Sequence, residues 1–309
     1  MSRPAHPGGR RLWGVAAFFN PTGSARRAEN YRAFRRQLQV PLVTVELAYG
    51  PGFELGSDEA DIMLRLRGGA VLWQKERLLN LALQALPADC DSVAWLDADI
   101  VFERPDWPEL ALAALEHSIL IQPFRDVRDQ PGENSGRSVT SRQSLAFRVS
   151  EGALAPTAIA TARLANAWRC AAGLAWVARR ELLELHGLYD AAIVGGGDRA
   201  IACAAYGAWQ ELPRAHRMSP AQAAHYVRWA ESFAASVGGH VGFAEGCVST
   251  LDHGTFAGRA YAQRHAGLEA FAFDPAVDVA IDEQGCWRWN SDRPALHDYV
   301  KGYFDRRGE

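Results

Sequence analysis

Lysine is nearly missing from this chain. Of 33 basic residues only Lys75 and Lys301 are lysines, and the others are arginines. Against 36 acidic residues this leaves a formal net charge of −3, so no basic field marks a nucleic-acid or anionic-membrane partner. The arginine bias and the alanine-rich tone fit a GC-rich coding sequence. Cysteine is sparse too: Cys90, Cys170, Cys203, Cys247 and Cys286 are the five, and no two form a Cys-x-x-Cys pair. That argues against zinc ribbons and thioredoxin-like motifs and for free thiols in a reducing compartment. Long apolar runs are absent. None approaches the ~20 residues of a membrane helix, and no apolar segment follows the polar start of the chain. A cytoplasmic protein without a membrane span is expected.

What is present is a globular composition. The 309 residues are 48% hydrophobic and 22% charged, enough to bury a sizeable core in one large domain or two ordinary ones. Residues 12–19 (LWGVAAFF) read as a buried parallel strand that ends at the turn Asn20-Pro21-Thr22-Gly23. A helix over residues 24–39 and a β-like run over 42–47 complete a β-α-β start. Residues 58–66 are mixed. Helical periodicity returns over 74–86, then a strand over 93–96, a helix over 108–117 and a strand over 119–123. The alternation predicts an open, mostly parallel α/β sheet covered by helices. Residues 125–144, polar and rich in Gly, Arg, Ser and Asp, read as a long surface loop. Residues 161–169 read as helical, 173–177 as β-like and 180–186 as a short helix. A further helix follows over 199–206. Another spans 219–235, opened by Ser219-Pro220. Residues 248–252 read as a strand, and the aromatic-rich end as a packed extension. The expected division is a flexible N-terminus (1–11), a catalytic domain (12–245) and a C-terminal segment (246–309) that packs on the core and completes the site.

Four constellations carry chemistry. Asp97-Ala98-Asp99 follows the strand VAWL, and two carboxylates at i and i+2 on a strand exit suit a hard cation at the edge where α/β sheets bind ligands. Ordinary turn chemistry is the alternative. Lys75, Arg77 and Asn80 lie in the first turns of the helix opened by WQKERLLN; a cationic helix N-terminus suits a phosphate, although a solvated helix face explains the same pattern. Gly195-Gly196-Gly197-Asp198 allows close backbone approach to a ligand. Asp198 is then either a helix N-cap or a carboxylate placed to take a proton from a hydroxyl. Last, His253-Gly254 is followed by Arg259, Tyr261, Arg264 and His265. A neutral imidazole ligates divalent metals, though a lone histidine is more often structural.

In that order, the Asn-Pro turn, the KER-x-x-N helix, Asp-x-Asp, GGGD and the late His-Gly resemble the GT-A class of nucleotide-sugar glycosyltransferases, from about Leu12 to Arg264. Within it the chain is similar to a bacterial and phage group related to family-two and β-galactosyltransferase-type enzymes, and the tail GCWRWNSDRPALHDYVKGYFDRR fits that group. The resemblance implies a GT-A, Rossmann-like fold and transfer of a sugar from a UDP- or GDP-sugar to an acceptor hydroxyl. It implies that Asp99, Asp97 and His253 hold Mn²⁺ or Mg²⁺, with Asp97 otherwise on the ribose. It puts Asn20, Lys75, Arg77, Asn80, Gly196 and Gly197 at the donor, and makes Asp198 the base of an inverting transfer. One departure stands out: Arg199 and Ala200 follow Asp198 where the galactosyltransferase pattern carries further acids, which leaves the base and the stereochemistry open. Three other readings remain: a sugar-phosphate nucleotidyltransferase, a nucleotide-sugar-binding module without turnover, and a transferase acting on a modified DNA base. The acceptor is a glycan, a small molecule or such a base.

Overall fold

The computed structural model describes residues 11–129, 140–161, 170–252, 260 and 263–307. Its strands, in chain order, are β1 (Leu12–Phe19), β2 (Leu42–Ala48), β3 (Ile62–Arg67), β4 (Ser92–Leu96), β5 (Ile100–Phe102), β6 (Leu120–Gln122), β7 (Asp126–Asp129), β8 (Thr140–Ser144), β9 (Cys170–Ala171), β10 (Ala175–Arg179), β11 (Val241–Phe243), β12 (Cys247–Thr250), β13 (Val279–Ile281) and β14 (Trp287–Trp289). The α-helices are α1 (Ala25–Gln37), α2 (Lys75–Gln84), α3 (Trp107–Ala114), α4 (Leu145–Ser150), α5 (Arg180–His186), α6 (Gly197–Ala205), α7 (Leu212–Ala215), α8 (Pro220–Val237), α9 (Gln263–Glu269), α10 (Pro275–Asp278) and α11 (Pro294–Arg307).

Seven strands form the central sheet in the order β11-β6-β10-β4-β1-β2-β3. Only β10 runs antiparallel to its neighbours; β3, β2, β1 and β4 run parallel. The expected open, mostly parallel sheet is therefore present. Its central strands are apolar on both sides because both faces are covered. Along β4 the side chains alternate: Val93 and Trp95 enter one core with Leu78, Leu79 and Ala82 of α2, while Ala94 and Leu96 enter the other with Tyr31 and Phe34 of α1. Trp95 stacks on Trp176 of β10, with centroids 6.3 Å apart.

Chain order reverses between β1 and β4, and a crevice opens at such a switch point beyond the strands' carboxyl ends. Asn20 follows β1 there and Asp97 follows β4. Helix α2 starts at the same edge. Gln74, fully buried, anchors it: its Oε1 accepts from Trp287 N at 3.0 Å and its Nε2 donates to Trp287 O at 2.7 Å. The C-terminal hairpin β13–β14 is thereby tied to the turn before Lys75. Phe304 of α11 packs on Phe19 and Trp73, so the chain end is a packed extension, as its aromatic content suggests.

A second sheet, ordered β5-β12-β7-β8-β9, corrects one sequence expectation. Residues 125–144 read as a surface loop, yet both ends are strands, with Asp126 opposite Gln143 and Asp129 opposite Thr140. The polar composition hid them because, among the described residues of the segment, Val127 is the one buried apolar side chain and charges are paired both within it and beyond it, as Arg128 is with Glu103. Arg142 makes a two-pronged pair with Asp129, both contacts at 2.5 Å, and Thr250 Oγ1 donates to the same carboxylate at 3.2 Å. Residues 130–139 lie outside the described residues, as does most of the helix expected over 161–169. The mixed segment 58–66 contributes the edge strand β3. All five cysteines are free and four are buried.

Candidate active site

Lys75 is the first residue of α2 and its ammonium joins two motifs far apart in sequence. Nζ lies 2.5 Å from Asp97 Oδ1 and 2.9 Å from Asp198 Oδ1. Its side chain is only 12% exposed, against 24% for Asp97 and 30% for Asp198, so the triad is poorly screened by solvent. Burial pulls the Lys75 pKa down, but Asp198 and then Asp97 outweigh it and hold the ammonium well above the ordinary lysine value. Burial pushes Asp97 up to about 6, with Asp198 and Asp99 adding repulsion and Lys75 opposing.

The backbone fixes both carboxylates. Asp97 N donates to Leu174 O at 2.8 Å, and Leu174 N donates to Asp97 Oδ2 at 3.2 Å. Both oxygens of Asp97 are thus engaged, one by Lys75 and one by an amide. Leu174 makes this reciprocal pair with φ at +79°, a left-handed conformation that an unbranched-at-Cβ but bulky side chain rarely adopts. Its neighbour Gly173 lies against Asp198, and a Cβ there would sit 2.6 Å from Asp198 Oδ2. Gly173→Ala is expected to push the Asp198 carboxylate off Lys75. The check is a crystal structure of the variant together with its activity, the expected loss being about tenfold or more by analogy with other small misplacements at reacting groups.

The glycine run shapes the other wall. Gly195 and Gly196 have φ of +79° and +104°, values open to glycine without strain. Gly196 is the N-cap of α6, so Asp198 is the second helical residue and not the cap, and its carboxylate is turned to Lys75. A Cβ on Gly196 would meet His216 Cε1 at 2.9 Å. His216 stacks on His265, with centroids 3.8 Å apart. Burial, reinforced by Arg199 and Arg264, takes His216 down to about 3, and burial takes His265 well below the usual imidazole range. Both rings are neutral packing surfaces at pH 7. Behind Gly195, Arg264 Nη1 donates to Tyr303 Oη at 2.7 Å.

Three other residues singled out in the sequence are placed elsewhere or turned to other partners. Asn20 Nδ2 donates to Ser24 O at 2.9 Å and to Glu54 Oε2 at 2.8 Å, and its Oδ1 accepts from Ser24 N at 3.0 Å; it closes the turn after β1. At 100° per residue Arg77 lies across α2 from Lys75. It donates to Gly285 O at 2.7 Å and Asp190 Oδ2 at 3.1 Å. Asn80 exchanges hydrogen bonds with the Leu188 backbone at 2.9 and 2.8 Å and reaches Asp190 Oδ2 at 3.2 Å. The structure therefore gathers Lys75, Asp97, Asp198, Gly196 and Gly197, and sets Arg77 and Asn80 in a separate, half-buried cluster at Asp190.

No family model matches the chain, and no curated protein matches it. Several solved structures are similar to it at low identity; one is described as a putative nucleotide-diphospho-sugar transferase and another as a 4-diphosphocytidyl-2C-methyl-D-erythritol synthase. Glucosyl-3-phosphoglycerate synthase from Mycobacterium tuberculosis, in complex with Mn²⁺, UDP and phosphoglyceric acid, is 14% identical over 90% of this chain and 87% of that one, with a TM-score of 0.42. Mannosyl-3-phosphoglycerate synthase from Rubrobacter xylanophilus is 13% identical over 85% and 73%, at 0.43. Residues 1–349 of TarS from S. aureus, in complex with UDP-GlcNAc, are 10% identical over 72% and 71%, at 0.39.

Asp99 stands at the join of the two sheets. Thr250 of β12 pairs with Ile100 of β5, and Leu251 N donates to Asp99 O at 2.7 Å. Asp252 is held in turn by Asn30 Nδ2, 2.7 Å from its carbonyl, and by Arg26. His253, the next residue, lies outside the described residues. Among the described residues no three His, Cys, Asp or Glu side chains converge as a metal set, and no helix is long and apolar enough to cross a membrane. Sequence reasoning passed over Leu174, Gly173 and Glu76. The only available signal was their adjacency to Lys75 and to the strand that pairs with β4.

Proposed function

We propose that this chain is a glycosyltransferase that moves a hexosyl group from a nucleoside-diphosphate sugar to an acceptor hydroxyl, with inversion. The observation that carries the reading is the Lys75 ammonium shared by Asp97 and Asp198 at the switch point of the sheet. An ammonium between two carboxylates is a site for a group that brings negative charge to the cation and a hydroxyl to the base. A diphosphate with its sugar and an acceptor supply both.

In this reading the donor diphosphate reaches Lys75 and draws it from Asp198. Asp198 then accepts the proton of the acceptor hydroxyl as that oxygen bonds to the anomeric carbon. The bond from that carbon to the diphosphate breaks, its electron pair leaves with the diphosphate, and the transition state has oxocarbenium character as in glycoside hydrolysis. Asp97, fixed by Leu174, keeps Lys75 in place. In this reading a hard divalent cation would be held by the Asp99 carboxylate, with Asp97 and His253 as its other protein ligands. When bound, such a cation supplies neutralisation of charge on the leaving diphosphate.

A thermal-shift screen of nucleoside diphosphates and sugar nucleotides, with and without Mn²⁺, tests the proposal. A ligand at ~100 times its Kd adds about 2.7 kcal/mol, a rise of several degrees in Tm. The expected hit is a UDP or GDP compound whose shift needs Mn²⁺ in the wild type and vanishes in Asp99→Ala. Product analysis then separates the alternatives. Nucleoside diphosphate release supports transfer, pyrophosphate release makes the chain a nucleotidyltransferase, and binding without turnover on any acceptor makes it a binding module.

A further inference from the structure

We infer that Glu76 is a positioning residue of this site: its carboxyl group, wedged between Lys75 and the bare Cα of Gly197, sets where the first turn of α6 places Asp198. The inference rests on the reading of Asp198 as the base for its functional consequence, and on geometry for the rest.

Glu76 is 2% exposed, and glutamates are seldom that buried. It follows Lys75 on α2, and it faces the glycine run. A Cβ at Gly197 would overlap the Glu76 carboxyl carbon and Oε1, so a side chain at position 197 and the carboxyl group in its present place exclude each other. That explains a run longer than helix capping needs. Gly197 begins α6 and Asp198 follows it, so the contact sets the height of the helix start against α2.

Glu76 Oε2 is buried without a hydrogen-bond partner. A buried carboxylate in that state carries a large desolvation cost, whereas the neutral acid does not. The charged groups facing it are Lys75 on its own helix, Asp198 on α6 and Asp97 at the exit of β4. Burial pushes it up to about 8, and the two aspartates add to that against Lys75. At pH 7 the neutral form dominates, and the single ammonium is left to Asp97 and Asp198. Were Glu76 ionised, three carboxylates would compete for one cation.

Two variants test this. Glu76→Gln keeps the shape and fixes the neutral state; Glu76→Ala removes the wedge. The carboxyl-carbon NMR signal of Asp198, assigned with Asp198→Asn, is expected to move in Glu76→Ala and to return to its wild-type position in Glu76→Gln. Thermal unfolding against pH gives a readout independent of any activity. Because the folded-state pKa is raised, stability from the neutral acid is present below the unfolded glutamate value and is lost as pH rises to about 8. The Tm of the wild type should therefore fall relative to Glu76→Gln between roughly pH 4.5 and 8 and run parallel above. Where transfer is measurable, Glu76→Ala should lower kcat about tenfold with donor KM little changed, and Glu76→Gln should restore it. Parallel Tm curves for wild type and Glu76→Gln, or an unmoved Asp198 signal in Glu76→Ala, overturn the inference. If Glu76→Ala does not fold, the Glu76→Gln curve decides alone. Absence of transfer on every donor counts against the proposed function and leaves both structural readouts in force.

Discussion

Asp198→Asn is expected to cut sugar transfer by about 10²- to 10⁴-fold, the range typical of a positioned general base, while donor affinity stays within roughly twofold. The amide keeps an oxygen for Lys75 at the position of Asp198 Oδ1, now 2.9 Å from Nζ, so the triad keeps its shape. What disappears is the capacity to take a proton. His216 and His265 offer no replacement: burial and adjacent arginines make their protonation unfavourable, which weakens them as proton acceptors, and they face Gly196. Glu76 is already protonated at pH 7 and sealed from solvent. Initial rates with saturating donor, alongside calorimetric titration of the nucleoside diphosphate, separate the two effects. Transfer at the wild-type rate would remove Asp198 as base and leave it as a lysine anchor.

The second large effect is on stability. Lys75→Met leaves Asp97 and Asp198 side by side with no cation between them. Breaking a buried ion pair by removing one partner costs ~3–5 kcal/mol. The lower end applies here because Asp97 and Asp198 keep 24% and 30% of their side-chain surface. About 3 kcal/mol corresponds to roughly 5 °C in Tm for a chain of this size. The deficit should depend on pH with a definite sign. Burial already raises Asp97 to about 6, so its ionisation costs the folded state stability as pH rises from the ordinary aspartate value through about 6. Without Lys75 the one favourable charge is gone, the folded pKa climbs further and the loss continues to higher pH. Wild type and variant should therefore be closest in Tm near pH 5 and diverge through pH 8. A pH-independent gap would mean that Lys75 acts through packing alone. Lys75→Arg is not expected to restore donor binding, because a planar guanidinium does not share one point of charge between two carboxylates as an ammonium does.

The layered fold was legible in the sequence because it is written in local pattern. Strand β1 coincides with the run LWGVAAFF, and α5 with the helix read over 180–186. Ser219 caps α8 as its position before Pro220 suggests, its Oγ accepting from Gln222 N. What local pattern does not encode is which polar groups find each other. Lys75 and Asp198 are 123 residues apart, and position 75 is marked in the sequence by the cationic helix start and the rarity of lysine, neither of which points to Asp198. Arg77 and Asn80 bring a second cation and an amide two and five residues after Lys75, yet helix rotation turns them to Asp190 and Leu188. Asn20 is at the crevice by topology and spends its amide on the Ser24 turn. The β7–β8 pairing escaped notice because its strands are stabilised by the Arg142–Asp129 pair more than by an apolar alternation. Glu76, one residue after Lys75, carries no local sign of its burial, which its 2% exposure and the approach of Gly197 reveal.

The central claim is that a nucleoside diphosphate binds where Lys75 bridges Asp97 and Asp198. A crystal structure of the wild type grown with UDP or GDP and Mn²⁺ tests it most directly. The account expects the diphosphate at the carboxyl ends of β1 and β4, within hydrogen-bonding reach of the Lys75 ammonium, and the cation on the Asp99 carboxylate. A nucleotide seated elsewhere on the chain, with the Lys75 bridge to both aspartates undisturbed, would contradict it.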